Sequence, residues 1–265
     1  MKSNKIISHS LFGCIGRNGN YWSYVPTLLR AHSLVFPDYK LVFYHDDIFF
    51  AIDYSKILIN LRNQKLIDLH HMGKQEAVCK SMLWRCKAIW DYKKEATAVF
   101  FRDLDSCPTY RERCANEEFA ESNYFIHGIN DNPAHTIPLM GGMWGCKPKQ
   151  FINYTTYHSW RYFRSYYKSR DFSIHGADQL FLRDQVTMSC KGKILVHKKM
   201  PIRFDCKIDR DVQDMKFCAF IGAAGYDRAE VFEFCEYKNN TLLKAVREAE
   251  DYYNIEPLTH NFEIK

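Results

Sequence analysis

No apolar run in this 265-residue chain approaches the ~18–20 residues that a membrane-spanning helix needs. The opening residues Met1 to Ser10 hold no sustained apolar stretch, so no secretory signal is expected there and a cytoplasmic location is. The ten cysteines include no C-x-x-C spacing. Without a secretory route, buried thiols in a reducing compartment are expected rather than a disulfide framework. On the same argument the sequons Asn153-Tyr154-Thr155 and Asn239-Asn240-Thr241 would be idle. There is also no block of Lys and Arg, which argues against a dedicated nucleic-acid binder. Internal repeats, low-complexity tracts and linkers are missing as well, so one compact domain is the simplest account.

What is present is an ordinary soluble composition, 46% apolar and 26% charged, with a mild net charge of +6 that suits an anionic ligand such as a nucleotide. Aromatics are high at 15%. They could line a sugar cleft or thicken the core.

The early chain alternates between strand and helix patterns. Lys5–Phe12 reads as a first strand, followed by a Gly-bearing loop (Gly13, Gly16, Gly19) that is no P-loop, since no Gly-Lys-Ser/Thr follows. Val25, Leu28, Leu29, His32, Val35 and Phe36 recur at helical spacing, and Pro37-Asp38 ends the pattern. Leu41–Tyr44 is a continuous apolar run, as in a strand covered on both faces, and it runs into His45-Asp46-Asp47. A second helix pattern passes through Val78, Met82, Cys86, Ile89 and Trp90, then leads to the run Ala98–Phe101. Such alternation predicts a mostly parallel central sheet with helices on both faces. Later come a charged helix over Tyr110–Ser122, a strand over Tyr124–His127 and a turn at Asn130–Pro133. A helix start at Gly176–Leu182 and strands at Ile194–His197 and Phe217–Ile221 complete the reading.

The most telling stretch is Arg102-Asp103-Leu104-Asp105-Ser106. If the preceding run is a buried strand, both acids leave its carboxyl end on the same side, because side chains alternate along extended backbone. Ligands of open α/β sheets bind at that edge. Two hard carboxylates there suit Mg2+ or Mn2+ held together with substrate phosphates.

Together, Arg102–Ser106, Gly141-Gly142-Met143-Trp144-Gly145, Asp178-Gln179 and the late His197 resemble a GT-A-type glycosyltransferase of the small kind found in bacteria and large DNA viruses. Trp84-Arg85, Arg111-Glu112, Asp131 with Pro133 and His135, and Phe220-Ile221-Gly222 extend the likeness, which covers roughly residues 5–225. Cys107 and Asn130 depart from it, each standing where an Arg is common.

The resemblance implies a GT-A-like α/β fold in one domain. Residues 1–106 would form a nucleotide-sugar half, 107–225 an acceptor half and 226–265 a C-terminal helical segment. It implies transfer of a sugar from a nucleotide sugar, by default a UDP-sugar, to a hydroxyl of a glycan or glycoprotein, assisted by Mn2+ or Mg2+. Asp105, Asp103 and His197 would hold the metal. Arg102, Asp103, Asp46, Trp84 and Arg85 would contact the donor. Asp131, His135, Gly141, Gly142, Trp144 and Gln179 would face sugar or acceptor. Asp178 would be the base of an inverting enzyme, with Asp131 the next candidate. Two other readings share these residues. A metal-dependent phosphohydrolase also uses paired acids but needs a second acidic cluster, which is not evident. A non-catalytic carbohydrate-binding protein would need the aromatics and leave the Asp-x-Asp idle.

Overall fold

In the computed structural model, residues 4–13, 15–16, 19–48, 53–130, 135–168, 171–198 and 240–255 are described. Asp131 and the expected strand at Phe217–Ile221 lie outside them.

The first strand, β1 (Lys5–Leu11), is the centre from which the sheet grows. A short antiparallel pair, β2 (Ile15–Gly16) and β3 (Gly19–Asn20), follows it. Helix α1 (Val25–Val35), with Pro26 in its first turn where a missing N–H costs nothing, returns the chain to β4 (Lys40–His45), parallel to β1. Helix α2 (Tyr54–Asn63) leads to β5 (Ile67–His71), parallel to β4. The chain then crosses back. A helical stretch made of α3 (Val78–Met82), a 3-10 segment (Leu83–Lys87) and α4 (Ala88–Asp91) delivers β6 (Ala98–Arg102) to the other side of β1.

Helix α5 (Tyr110–Glu121) begins at Thr109, whose hydroxyl accepts the Glu112 N–H. Strands β7 (Ile126–Asn130), β8 (Met143–Cys146) and, after α6 (Pro148–Tyr154), α7 (Trp160–Lys168) and α8 (Ala177–Phe181), β9 (Ile194–Lys198) complete a seven-stranded sheet. Its order is β5-β4-β1-β6-β8-β7-β9, and β8 alone runs against the rest. The sheet is therefore mostly parallel.

Both faces are covered, and the period of two along each strand sorts the residues. Ile7, Phe43 and Phe100 pack under α1, α2, α5 and the C-terminal helix α9 (Thr241–Tyr253). Ile6, Val42, Val99 and Phe101 pack under α3, α4, α6, α7 and α8 with Trp84 and Trp144. The six described cysteines are free thiols. No helix among the described residues is long and apolar enough to cross a membrane.

Candidate active site

Successive strands run outward from β1 through β4 to β5, then resume at β6 on its opposite flank. Crossovers diverge at that point and leave a crevice beyond the strand ends. A cavity of about 220 Å³ occupies it, lined from β1 by Ser10 and Phe12 and from the end of β6 by Asp103, Leu104 and Asp105. Val78, Cys79, Met82 and Arg85 border it from the α3 stretch, and Gly141, His175, Gly176, Asp178 and Gln179 from the later chain.

The 3-10 segment that carries Arg85 has a local cause. Ser8 and Ser10 alternate on the face of β1 that meets it. Ser10 Oγ accepts the Arg85 N–H at 2.9 Å and donates to the Met82 carbonyl at 2.8 Å, while Ser8 Oγ donates to the Arg85 carbonyl at 2.9 Å. Two hydroxyls thus replace ordinary helical bonds and bind Arg85 to the central strand. Two serines in an otherwise apolar strand were the sequence signal for this anchor, and it was missed.

Arg85 is buried and sits among carboxylates. Its Nη1 donates to Asp103 and, at 3.0 Å, to the Arg102 carbonyl, while Nη2 lies 3.9 Å from Asp178. Burial pulls the guanidinium pKa down, but Asp103 and Asp178 outweigh it and the net shift is upward. Gly141 and Gly142 let these groups approach. A Cβ on Gly141 would stand 2.6 Å from the Asp178 carboxylate, and one on Gly142 only 2.0 Å from that of Asp103 and 2.8 Å from its backbone nitrogen.

Asp105 differs from the expectation in its route. Strand β6 ends at Arg102, and Leu104 and Asp105 lie in a turn, so the period-two argument does not carry across. The turn folds Asp105 inward, to 7% exposure. Burial, then the charge of Asp103, pushes its carboxyl up to about 7. Burial also raises Asp178, which is 3% exposed, against the opposing pull of Arg85.

The other residues singled out from sequence are placed elsewhere. Arg102 points to the opposite face from Asp103, 1% exposed, ion-paired with Glu112 on α5 and donating to the Ser106 carbonyl. Asp46 is buried and accepts the backbone N–H groups of Gly13 and Ile48, a loop clamp. Trp84 and Trp144 are core residues at 1% and 2% exposure, the latter 4.3 Å from the Phe101 ring, so neither offers a face to a sugar. His135 is half-buried and does not line the cavity. His197 is turned toward α5: its Nδ1 lies 2.8 Å from His127 Nε2 and its Nε2 3.2 Å from Glu118. Among the described residues no group of three His, Cys, Asp or Glu side chains is close enough to hold an ion, so His197 does not join Asp103 and Asp105.

Two carboxylates still fit Mg2+ or Mn2+, which keep several waters and take phosphate oxygens as ligands. The charge balance agrees. Asp103, Asp105 and Asp178 face the single guanidinium of Arg85, a surplus of two negative charges that one divalent ion would cancel.

No protein-family model and no curated protein matches the chain. Among solved structures it is similar to the 4-diphosphocytidyl-2C-methyl-D-erythritol synthase of Anaerococcus prevotii, at 9% identity and a TM-score of 0.43, over 79% of this chain and 93% of that one. It is also similar to an active-site mutant of LgtC, at 9% identity and a TM-score of 0.45, over 91% of this chain and 99% of that one.

Proposed function

We propose that the chain is a GT-A-like glycosyltransferase that moves a sugar from a nucleotide-sugar donor, a UDP-sugar by default, to a hydroxyl of a glycan or glycoprotein. One observation carries the reading. Asp103, Asp105 and Asp178 converge with Arg85 on a cavity at the switch point of a mostly parallel sheet, where that chemistry needs them.

In the reaction the bond from the anomeric carbon to the diphosphate breaks, and its electron pair stays on the phosphate oxygen. A Mn2+ or Mg2+ ion held by Asp103 and Asp105 would supply Lewis-acid stabilisation of that charge. The chain's own residues do the rest. Arg85 fixes the Asp103 carboxylate in place and keeps Asp178 ionised. Gly141 and Gly142 admit the donor close to the backbone. Asp178, its basicity raised by burial, takes the proton from the attacking acceptor hydroxyl if configuration inverts.

The test is release of free nucleotide from a panel of nucleotide sugars with Mn2+. Slow hydrolysis without acceptor, stopped by EDTA and by Asp105→Ala, is expected. Turnover in excess EDTA would overturn the metal assignment. Phosphomonoester turnover would favour a phosphohydrolase, and sugar binding without turnover a lectin.

A further inference from the structure

The cavity has two chemically different sides. Asp103, Asp105, Asp178 and Gln179 offer hydrogen-bonding side chains on one. On the other, from β1 and α3, stand Phe12, Val78, Cys79 and Met82. The polar side chains of that second wall are already engaged. Ser10 Oγ donates to the Met82 carbonyl and accepts the Arg85 N–H, and Cys79 Sγ donates to the Ile174 carbonyl at 3.4 Å. A hydroxyl pressed there gives up its water and meets no side-chain partner, whereas a methyl meets an isopropyl group, a thioether and an aromatic ring.

The cavity's volume of about 220 Å³ falls below the ~300–1,000 Å³ of pockets for drug-sized ligands, so it suits one sugar ring rather than a whole sugar nucleotide. A pyranose there turns its ring hydroxyls to the carboxylates, which accept from them. The exocyclic carbon is then left for the apolar wall. We infer that the donor sugar is a 6-deoxyhexose, selected over its hydroxymethyl parent by the wall of Phe12, Val78, Cys79 and Met82. This rests on the transferase reading above and names the sugar class for the same site.

The experiment uses the full chain with Mn2+ and three sugars: glucose, 6-deoxyglucose and xylose. Each is presented as its UDP, dTDP and GDP ester, and released nucleotide is measured. The 6-deoxy donor is expected to exceed the glucose donor ~10- to 100-fold in kcat/KM, the range one small group commands in an apolar pocket. Xylose, which lacks the carbon altogether, should fall below 6-deoxyglucose. Met82→Gln puts an amide into the wall at nearly constant volume and should shift the ratio toward glucose by about tenfold or more. Val78→Thr, at the partly exposed rim, should shift it the same way if the glutamine variant folds poorly. Equal or preferential use of the glucose donor overturns this inference and leaves the transferase reading standing. No nucleotide release from any of the donors overturns both.

Discussion

Asp103 and Asp105 are two residues apart yet differ in surroundings: the Asp103 side chain is 36% exposed, and Asp105 is 7% exposed overall. The consequence is a pH dependence with a defined sign. The folded pKa of Asp105, about 7, lies above its ordinary value of 3.8, so folding favours the protonated form. Its stabilising contribution is complete below pH ~4 and is lost as pH rises to about 7, by up to ~1.4 kcal/mol per pH unit. Asp105→Asn cannot ionise. In urea titrations with chelator, its stability relative to the native chain should therefore climb from pH 4.5 to 7.5. A flat difference would show that Asp105 is not held in this environment. At Asp178 the matching test is Asp178→Asn, which keeps the shape and removes the base. Donor affinity should persist while transfer drops ~10²- to 10⁴-fold if configuration inverts. Transfer within a few-fold of normal would remove Asp178 from the mechanism.

At the scale of elements, the site depends on how closely two segments approach. The chain before β8 lies against the end of β6 because Gly141 and Gly142 carry no Cβ. At Gly142 the collision would include the Asp103 backbone nitrogen, not only the mobile end of a side chain. Gly142→Ala must therefore displace the segment or Asp103 itself. A misplacement of roughly 1 Å costs on the order of 10²-fold in rate. The variant should keep its far-UV spectrum and lose at least tenfold in kcat/KM, and near-normal activity would mean that this approach is not required. The anchoring of Arg85 by Ser8 and Ser10 works in the same way, with one strand dictating the shape of a neighbouring helix.

Across the whole molecule, α9 closes the layer formed by α1 and α2. Leu243, Val246 and Ala249 enter the core there, and Glu250 forms a two-pronged ion pair with Arg30 of α1, one prong at 2.6 Å. Both side chains are 5% exposed. Removing one partner of such a pair strands a buried charge, at about 3–5 kcal/mol. Glu250→Ala should lower stability by that order in urea titration, and Arg30→Met with Glu250→Leu should recover most of it. A single-variant loss under about 1 kcal/mol would contradict the burial.

Sequence alone determined the local elements and one end of the site. Alternating apolar patterns marked β1, α1, β4 and β6, because strand and helix periods are properties of the local chain. The position of Asp103 after a buried run marked the ligand edge, because parallel strands end together. Tertiary structure decided the rest. That β8 enters the sheet reversed follows from pairing with distant β6 and β7, which no local period encodes. Arg102 and Asp103 are neighbours in the chain but part to opposite faces, one to Glu112 and the other to Arg85. Trp84, Trp144 and Asp46 read as ligand contacts but are held in the interior, and His197 turns to His127 across a strand pair 70 residues apart. In each case the partner that fixes the side chain is remote in sequence and is set by packing of the layers.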